Sequence, residues 1–294
     1  MIGGSQAKFG AVRRGFGVSS GVAVGVHDSV IPSEFFPRGC VWSELRVAEP
    51  TSHGERPQGA SGLDRAGSRG SLSCGTTWSR VSVENWNALC PQERAYVERA
   101  VAVRRAQFAD TRACARKALS ELTGCDHSST GIVRGERGVP VFPEGVVGSL
   151  THTTDFRAAV VADGTLFASV GLDVEVAQPL PSGVGEVVLT ARDRDQVGVV
   201  MGRCGTGSGL SCSDSDVNAL VGTVIFSAKE SVYKSWFPVV GVFLDFSQAV
   251  IELRCDGSFV AHIDSDVGVV PRLPTIEGRW AIVAGYVVTG TWVV

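Results

Sequence analysis

The sequence predicts an α+β fold, and three observations carry that expectation. A helix-periodic stretch occupies residues 91–123, a second helical segment runs from Val224 to Phe237, and the segments between and after them read as short, mostly hairpin-connected strands. In chain order, residues 16–47 hold short apolar runs such as Val22–Val26, broken by Gly and Pro, enough for one or two strands. Pro50 to Thr77 has almost no large apolar side chain, so residues 48–77 read as a flexible insertion that cannot offset its ordering entropy. Pro91 then suits a helix's first turn, and Val97, Val101, Phe108, Ala115, Leu119 and Leu122 form one apolar stripe that stops at Gly124. Asp110-Thr111 marks the expected break in so long a helix.

Beyond residue 131 the texture becomes β-like. Val139–Phe142 precedes a Pro-Glu-Gly turn, and Ala158–Ala162 and Leu166–Val170 read as a hairpin around Asp163-Gly164. Residues 183–200 look helical, 202–216 form a Gly/Ser-rich loop, and the helix from Val224 is expected to close at Pro238. Residues 240–294 are strand-rich, ending in Trp280–Val283 and Tyr286–Val288.

With 294 residues, 44% hydrophobic and 19% charged, the chain can bury a substantial core. A net charge of −3 gives no bulk attraction to nucleic acid or to an anionic membrane, so any anion site must come from local clustering of Arg and Lys. No apolar stretch approaches the length of a membrane span, and no signal peptide is read at the N-terminus. The eight cysteines include no Cys-x-x-Cys pair and no zinc-finger spacing, which reads as reduced thiols in a cytoplasmic protein.

Four groups of residues carry chemistry. Asp173 and Glu175 alternate along a strand and so share a face, an oxygen-rich pair suited to Mg²⁺; read alone, the pattern is more often a strand's solvent face. Glu230 and Lys234 are four apart on a helix beside Lys229, which alone is an ordinary surface pair; as a third carboxylate with two lysines they would complete a metal and phosphate site. Ser149, Thr151 and His152 offer hydrogen bonds to phosphate oxygens, against the alternative of a packed histidine. Arg104, Arg105, Arg112, Arg116 and Lys117 lie along the 91–123 helix, and Arg134 and Arg137 bracket a Gly-Glu turn; guanidinium groups suit phosphates, although most such arginines are solvated helix faces.

Taken in order, Arg134-Gly-Glu-Arg137-Gly-Val-Pro140, Gly148-Ser-Leu-Thr-His152-Thr, Gly171-Leu-Asp173-Val-Glu175 and Phe226-Ser-Ala-Lys229-Glu230-Ser-Val-Tyr-Lys234 resemble the 4′-phosphopantetheinyl transferases, in particular the monomeric, broad-specificity actinobacterial type. Arg112-Ala-Cys-Ala-Arg116-Lys looks like that family's first helix. The resemblance implies two similar α+β halves related by a pseudo-twofold axis with coenzyme A between them. The first half would comprise residues 1–47 and 78–165 around the 48–77 insertion, and the second residues 166–294. It implies transfer of 4′-phosphopantetheine from coenzyme A to a serine of an apo acyl or peptidyl carrier protein, releasing 3′,5′-ADP. Asp173, Glu175 and Glu230 would bind Mg²⁺, with Mn²⁺ also acceptable to oxygen ligands. Lys229, Lys234 and His152 would contact coenzyme A phosphates. Arg104, Arg112, Arg134 and Arg137 would hold its 3′-phosphate and adenine end. Glu230 would take the serine proton and Lys234 would stabilise the leaving ADP. An idle coenzyme A binder and a Mg²⁺-dependent pyrophosphate hydrolase share these residues as alternatives. Leu210, Val217, Leu220 and Val221 are candidates for gripping the carrier.

Overall fold

The structure, a computed structural model, describes residues 29–47, 80–195, 214–264 and 273–294, without the side chains of 80–81 and 214–219. The expected strand at Val22–Val26, the insertion at 48–77 and most of the 202–216 loop lie outside the described residues.

In order these form β1 (Cys40–Arg46), α1 (Arg80–Asn87), α2 (Pro91–Val97), α3 (Ala102–Thr123), β2 (Val146–His152), β3 (Phe156–Asp163), β4 (Ser169–Val176), α4 (Val184–Val188), α5 (Asp214–Val240), β5 (Ala249–Leu253), β6 (Ser258–Ile263), β7 (Thr275–Val283) and β8 (Tyr286–Val293). The strands make two antiparallel sheets, one ordered β1-β3-β2 and the other β4-β8-β7-β6-β5. Mixed helix and antiparallel sheet is the expected α+β class.

Each sheet carries one long helix. Cys114, Ala115, Ala118 and Leu119 of α3 pack on Val41, Ala159 and Val161. Ile225, Ala228, Val232 and Trp236 of α5 pack on Ile251, Phe259, Ile276 and Trp280. A third cluster, with Phe156, Val160, Leu172, Val174 and Val288, joins the sheets. Full burial of each large aliphatic or Phe side chain among them contributes about 1.5–3 kcal/mol, so these clusters dominate the fold's stability. Among the described residues no helix is long and apolar enough to cross a membrane.

The sheets meet at β2 and β4, which are edge strands of their respective sheets. The Leu172 and Val174 N–H groups donate to the hydroxyls of Ser149 (3.1 Å) and Thr151 (3.1 Å). Side chains thus satisfy backbone donors that would otherwise be buried without partners. On its far side β4 is pressed against α5: a Cβ at Gly171 would lie 2.0 Å from the Ser231 carbonyl oxygen, so only glycine fits there.

Several sequence expectations are corrected. The first helix breaks at 98–101 rather than at Asp110-Thr111; Val101 is extended, is 73% exposed and leaves the apolar stripe. Asp110 stays helical and buried because Ser82 and Asn85 donate to its carboxylate, while the Thr111 hydroxyl donates back to the Gln107 and Phe108 carbonyls. Segments 158–162 and 166–170 do not form a hairpin. Their strands β3 and β4 belong to different sheets, and β4 pairs with the C-terminal β8. Val139–Phe142 forms no strand, only a bridge between Arg134 and Pro140. The 183–200 helix is interrupted at Leu189-Thr190, where Thr190 and Asp193 cap a new helical turn over 191–195. Pro238 sits within α5, near enough to its end that one missing N–H does not stop it; Gly241, with φ +72, does. The β7–β8 hairpin and the stop at Gly124 are as expected.

Candidate active site

A cleft of about 250 Å³ opens between the two helix–sheet units. Its lining comes from α3 (Arg104, Phe108, Thr111, Arg112), the 134–140 turn, β2 (Gly148–His152) and one face of α5 (Glu230, Tyr233, Lys234, Phe237).

The α3 side is a cationic wall. Arg104, Arg112, Arg134 and Arg137 all line it, and among the described residues no acid forms an ion pair with any of them. Arg112 is buried: its Nε donates to the Ile132 carbonyl at 3.4 Å and its guanidinium stacks 3.6 Å above the Phe108 ring. Burial, with Arg104 and Arg134 nearby, pulls its pKa down to about 9 despite Glu93. Arg104 is lowered by burial and then by Arg134. Depression by neighbouring guanidiniums marks a wall short of negative charge. Arg137, with φ +46, holds a left-handed conformation unusual for a side-chain-bearing residue, and its guanidinium lies over the Phe243 ring. The next residue must be Gly138, since at φ +92 a Cβ there would lie 2.7 Å from the Arg134 guanidinium.

His152 ends β2 beside this wall and is hydrogen-bonded to Arg104. Arginine can only donate, so Nε2 accepts and the ring proton belongs on Nδ1. Burial first, then Arg104, Lys234 and Arg157, hold the imidazole pKa down to about 3, so the ring is neutral at pH 7. Ser149 and Thr151 line the same strand, but both are buried and their oxygens already accept from β4. They join the sheets as well as facing the cleft.

The opposite end is acidic. Asp173 lies in mid-β4 at 4% exposure. Its Oδ1 accepts from Lys234 Nζ (2.7 Å) and Thr151 (3.4 Å), and its Oδ2 from Ser227 (2.8 Å). Glu175 and Glu230 have no hydrogen-bond or ion-pair partner among the described residues. Burial and then Asp173 push Glu175 up to about 7 and raise Glu230, with Lys234 opposing both shifts. Three carboxylates therefore share one ammonium. Among the described residues no three His, Cys, Asp or Glu side chains converge closely enough to hold a metal as they stand. The surplus of hard oxygen donors nevertheless suits a divalent cation once Lys234 releases Asp173.

Lys229 is the clear departure. Its ammonium is buried at 3% exposure, away from the cleft, and its three donors go to Val188 O (2.8 Å), Asp193 Oδ2 (2.7 Å) and Phe246 O (2.7 Å). No proton is left for a phosphate. Arg116 is likewise committed, to buried Glu93 (2.5 Å) and the Thr130 carbonyl. Leu220 and Val221 are core residues of α5, which removes them as carrier contacts; Leu210 and the Val217 side chain lie outside the described residues. Sequence reasoning missed Tyr233 and Phe237 as cleft residues. Spacings of three and seven from Glu230 place them on its face.

A cleft whose guanidinium wall has no acid partner among the described residues, facing Glu230 and Lys234 with Asp173 behind them, has the charge arrangement that suits a phosphate-bearing anion. Comparison with known proteins agrees. The 4′-phosphopantetheinyl transferase N-terminal domain matches residues 92–162, and the 4′-phosphopantetheinyl transferase superfamily matches 169–273. The chain is 41% identical over 204 residues to the 4′-phosphopantetheinyl transferase Svp of Streptomyces mobaraensis, covering 68% of this chain and 77% of that one. It is 34% identical over 211 residues to Npt of Nocardia iowensis (68% and 86% covered) and 35% identical over 206 residues to PptT of Mycobacterium tuberculosis (68% and 83% covered), both 4′-phosphopantetheinyl transferases. The chain belongs to the 4′-phosphopantetheinyl transferase family, in its actinobacterial group.

Proposed function

We propose that the cleft binds coenzyme A and that the protein transfers its 4′-phosphopantetheine arm to a serine of an apo acyl or peptidyl carrier protein, releasing 3′,5′-ADP. The observation that carries this reading is the polarised cleft: four arginines unpaired with acid on one wall, Glu230 and Lys234 on the other, with Asp173 bonded to Lys234 behind them. Arg104, Arg112, Arg134 and Arg137 take the 3′-phosphate and adenine end, because there a multiply charged anion meets several guanidiniums. His152, neutral and fixed by Arg104, offers its Nδ1 proton to a phosphate oxygen. Ser149 and Thr151 shape the cleft floor beneath it. Lys229 is withdrawn from the set of phosphate contacts.

In the reaction the serine oxygen bonds to the phosphorus bearing the pantetheine arm, and the bond from that phosphorus to the bridging pyrophosphate oxygen breaks. Glu230, the carboxylate that lines the cleft, has a raised proton affinity suited to taking the serine proton, directly or through one water. Lys234 moves from Asp173 to the leaving ADP oxygen as charge develops there. Asp173, Glu175 and Glu230 would hold Mg²⁺ or Mn²⁺, which supplies charge neutralisation on the pyrophosphate.

The two helix–sheet units fit a pair of pseudo-twofold α+β halves, the first ending near residue 165, with coenzyme A between them. Cys40, Cys90, Cys114 and Cys125 are free thiols, in keeping with an enzyme of the reducing cytoplasm. The test incubates the protein with coenzyme A, Mg²⁺ and an apo carrier protein and weighs the carrier. Gain of a phosphopantetheine arm supports the reading. An unmodified carrier sinks it, and free phosphopantetheine released without carrier points to a hydrolase instead.

A further inference from the structure

On the side of α5 turned from the cleft, Lys229 lies within a buried polar knot. Its partner Asp193 also accepts from the Thr190 N–H (2.8 Å), the Thr190 hydroxyl (2.8 Å) and the Ile251 N–H (2.9 Å). With the Val188 and Phe246 carbonyls, one ion pair ties α5 to the end of α4, the 190–193 turn, the 246–248 turn and β5. Nothing in this knot reaches the cleft lining.

The helix is held again on its opposite side. At about 100° per residue, Ser231 lies about 200° from Lys229, with Ser227 and Ser235 in the same stripe. There the Thr289 hydroxyl donates to the Ser227 carbonyl (2.8 Å), the Thr291 hydroxyl donates to the Ser231 carbonyl (2.8 Å), and Ser169 donates to the Ser235 carbonyl (2.5 Å). Gly171 brings β4 against the same stripe. Glu230, Tyr233, Lys234 and Phe237, which face the cleft, fall between these two anchors.

We infer that Lys229 is a positioning residue: its buried ion pair with Asp193, opposite the serine stripe, fixes the rotation of α5 and so aims Glu230 and Lys234 into the cleft. This rests on the transferase reading above. A helix held on one side only could roll about the serine stripe. A roll of one residue's angle would turn Glu230 out of the cleft without touching the arginine wall. The lysine therefore acts on turnover through Glu230, not on substrate binding.

The experiment uses the full chain with coenzyme A, Mg²⁺ and an apo carrier protein, comparing wild type with Lys229→Met, Asp193→Asn and the double variant. Melting temperature is recorded for each, and coenzyme A affinity is measured by calorimetry without carrier. Misplacement of a catalytic group by an ångström costs about 100-fold, so Lys229→Met should lose roughly 30- to 100-fold in kcat while coenzyme A affinity stays within about threefold of wild type. Asp193→Asn, which keeps its volume and its bond from Ile251, should lose about tenfold in the same parameter. The double variant should be no slower than Lys229→Met, because both changes open one pair. Three results overturn the inference: coenzyme A affinity falling as far as it does in Lys234→Ala; Asp193→Asn turning over at the wild-type rate; or a lowered melting temperature with kcat of the folded enzyme unchanged, which marks a purely stabilising lock. If Lys229→Met does not fold, Asp193→Asn decides alone. A wild-type protein that leaves the carrier unmodified in this assay sinks the transferase reading itself, an outcome distinct from all three.

Discussion

The two walls of the cleft handle charge in opposite ways. On the α3 side, Arg104, Arg112, Arg134 and Arg137 stand together with no acid to pair them among the described residues, and burial followed by neighbouring guanidiniums lowers the proton affinity of Arg104 and Arg112. On the β4–α5 side, Asp173, Glu175 and Glu230 crowd around one ammonium, and the two glutamates rise in proton affinity. Elsewhere the same residue types are neutralised: Glu93 by Arg116 and Asp193 by Lys229, in tight buried pairs. The fold evidently can pair its buried charges, and at the cleft it does not. Each wall is a deficit of opposite charge, and the deficits differ in sign, so a long anionic ligand that brings a cation to one end has only one favourable orientation.

The largest expected effect comes from breaking the acidic wall. Asp173→Asn keeps a side chain able to accept from Ser227 but removes the charge that faces Lys234. Turnover should fall by at least about 100-fold, measured as carrier modified per minute. Alanine at this position is the poorer test. With Asp173 buried in mid-strand, the substitution would strand Lys234 and cost stability of up to about 3 kcal/mol, which a thermal melt would reveal. Near-normal turnover of Asp173→Asn would remove the carboxylate cluster from the mechanism. Chelating divalent metal should produce a loss of similar size, again about 100-fold or more, restored by adding Mg²⁺. Full activity in excess chelator would show that Lys234 and the arginines suffice.

Breaking the cationic wall should act on binding instead. Arg112→Ala removes a charged donor from a buried position, a loss of about 1.5–3 kcal/mol, or roughly 10- to 100-fold in coenzyme A affinity by calorimetry. Its kcat at saturating coenzyme A should change less than threefold. An unchanged affinity would assign the 3′-phosphate to Arg104, Arg134 and Arg137 alone. If Arg112→Ala instead lowered kcat as steeply as Asp173→Asn, the walls would not divide the work as their charges imply.

Much of the acidic wall could be read from spacing, because it rests on local periodicity: Asp173 and Glu175 alternate along one strand, and Glu230 and Lys234 share a helix face. The α+β class and the two long helices were legible for the same reason. What could not be read was set by distant partners. Asp110 looked like a helix breaker because Ser82 and Asn85, which satisfy it, come from a separate helix. β4 looked like the partner of β3 because nothing local reveals that β8, more than a hundred residues later, takes its edge. Lys229 looked like a phosphate ligand because the acid that claims it, Asp193, lies in a stretch whose sequence shows only mixed charge. Ser149 and Thr151 carried the right groups for phosphate, yet their oxygens also serve β4.

The smallest effect tests the boundary between the walls, where His152 touches Arg104. An ordinary histidine gains a proton near pH 6.5, but this one, buried beside three arginines and Lys234, is held down to about 3. As pH falls below about 6.5 the unfolded chain takes up a proton here while the folded chain does not, so this group removes stability progressively toward pH 3 and contributes nothing above 6.5. The ring signals of His152 in a proton–nitrogen NMR titration should stay fixed from pH 8 to pH 5.5, with Nε2 showing the shift of an unprotonated nitrogen. Binding of coenzyme A brings phosphate charge to the same spot and should raise the His152 value, because the anion offsets the arginines that depress it. A His152 that already titrates near 6.5 in the free protein would mean that the arginine wall is neutralised before substrate arrives, which would undercut the charge deficit on which the proposed orientation of coenzyme A rests.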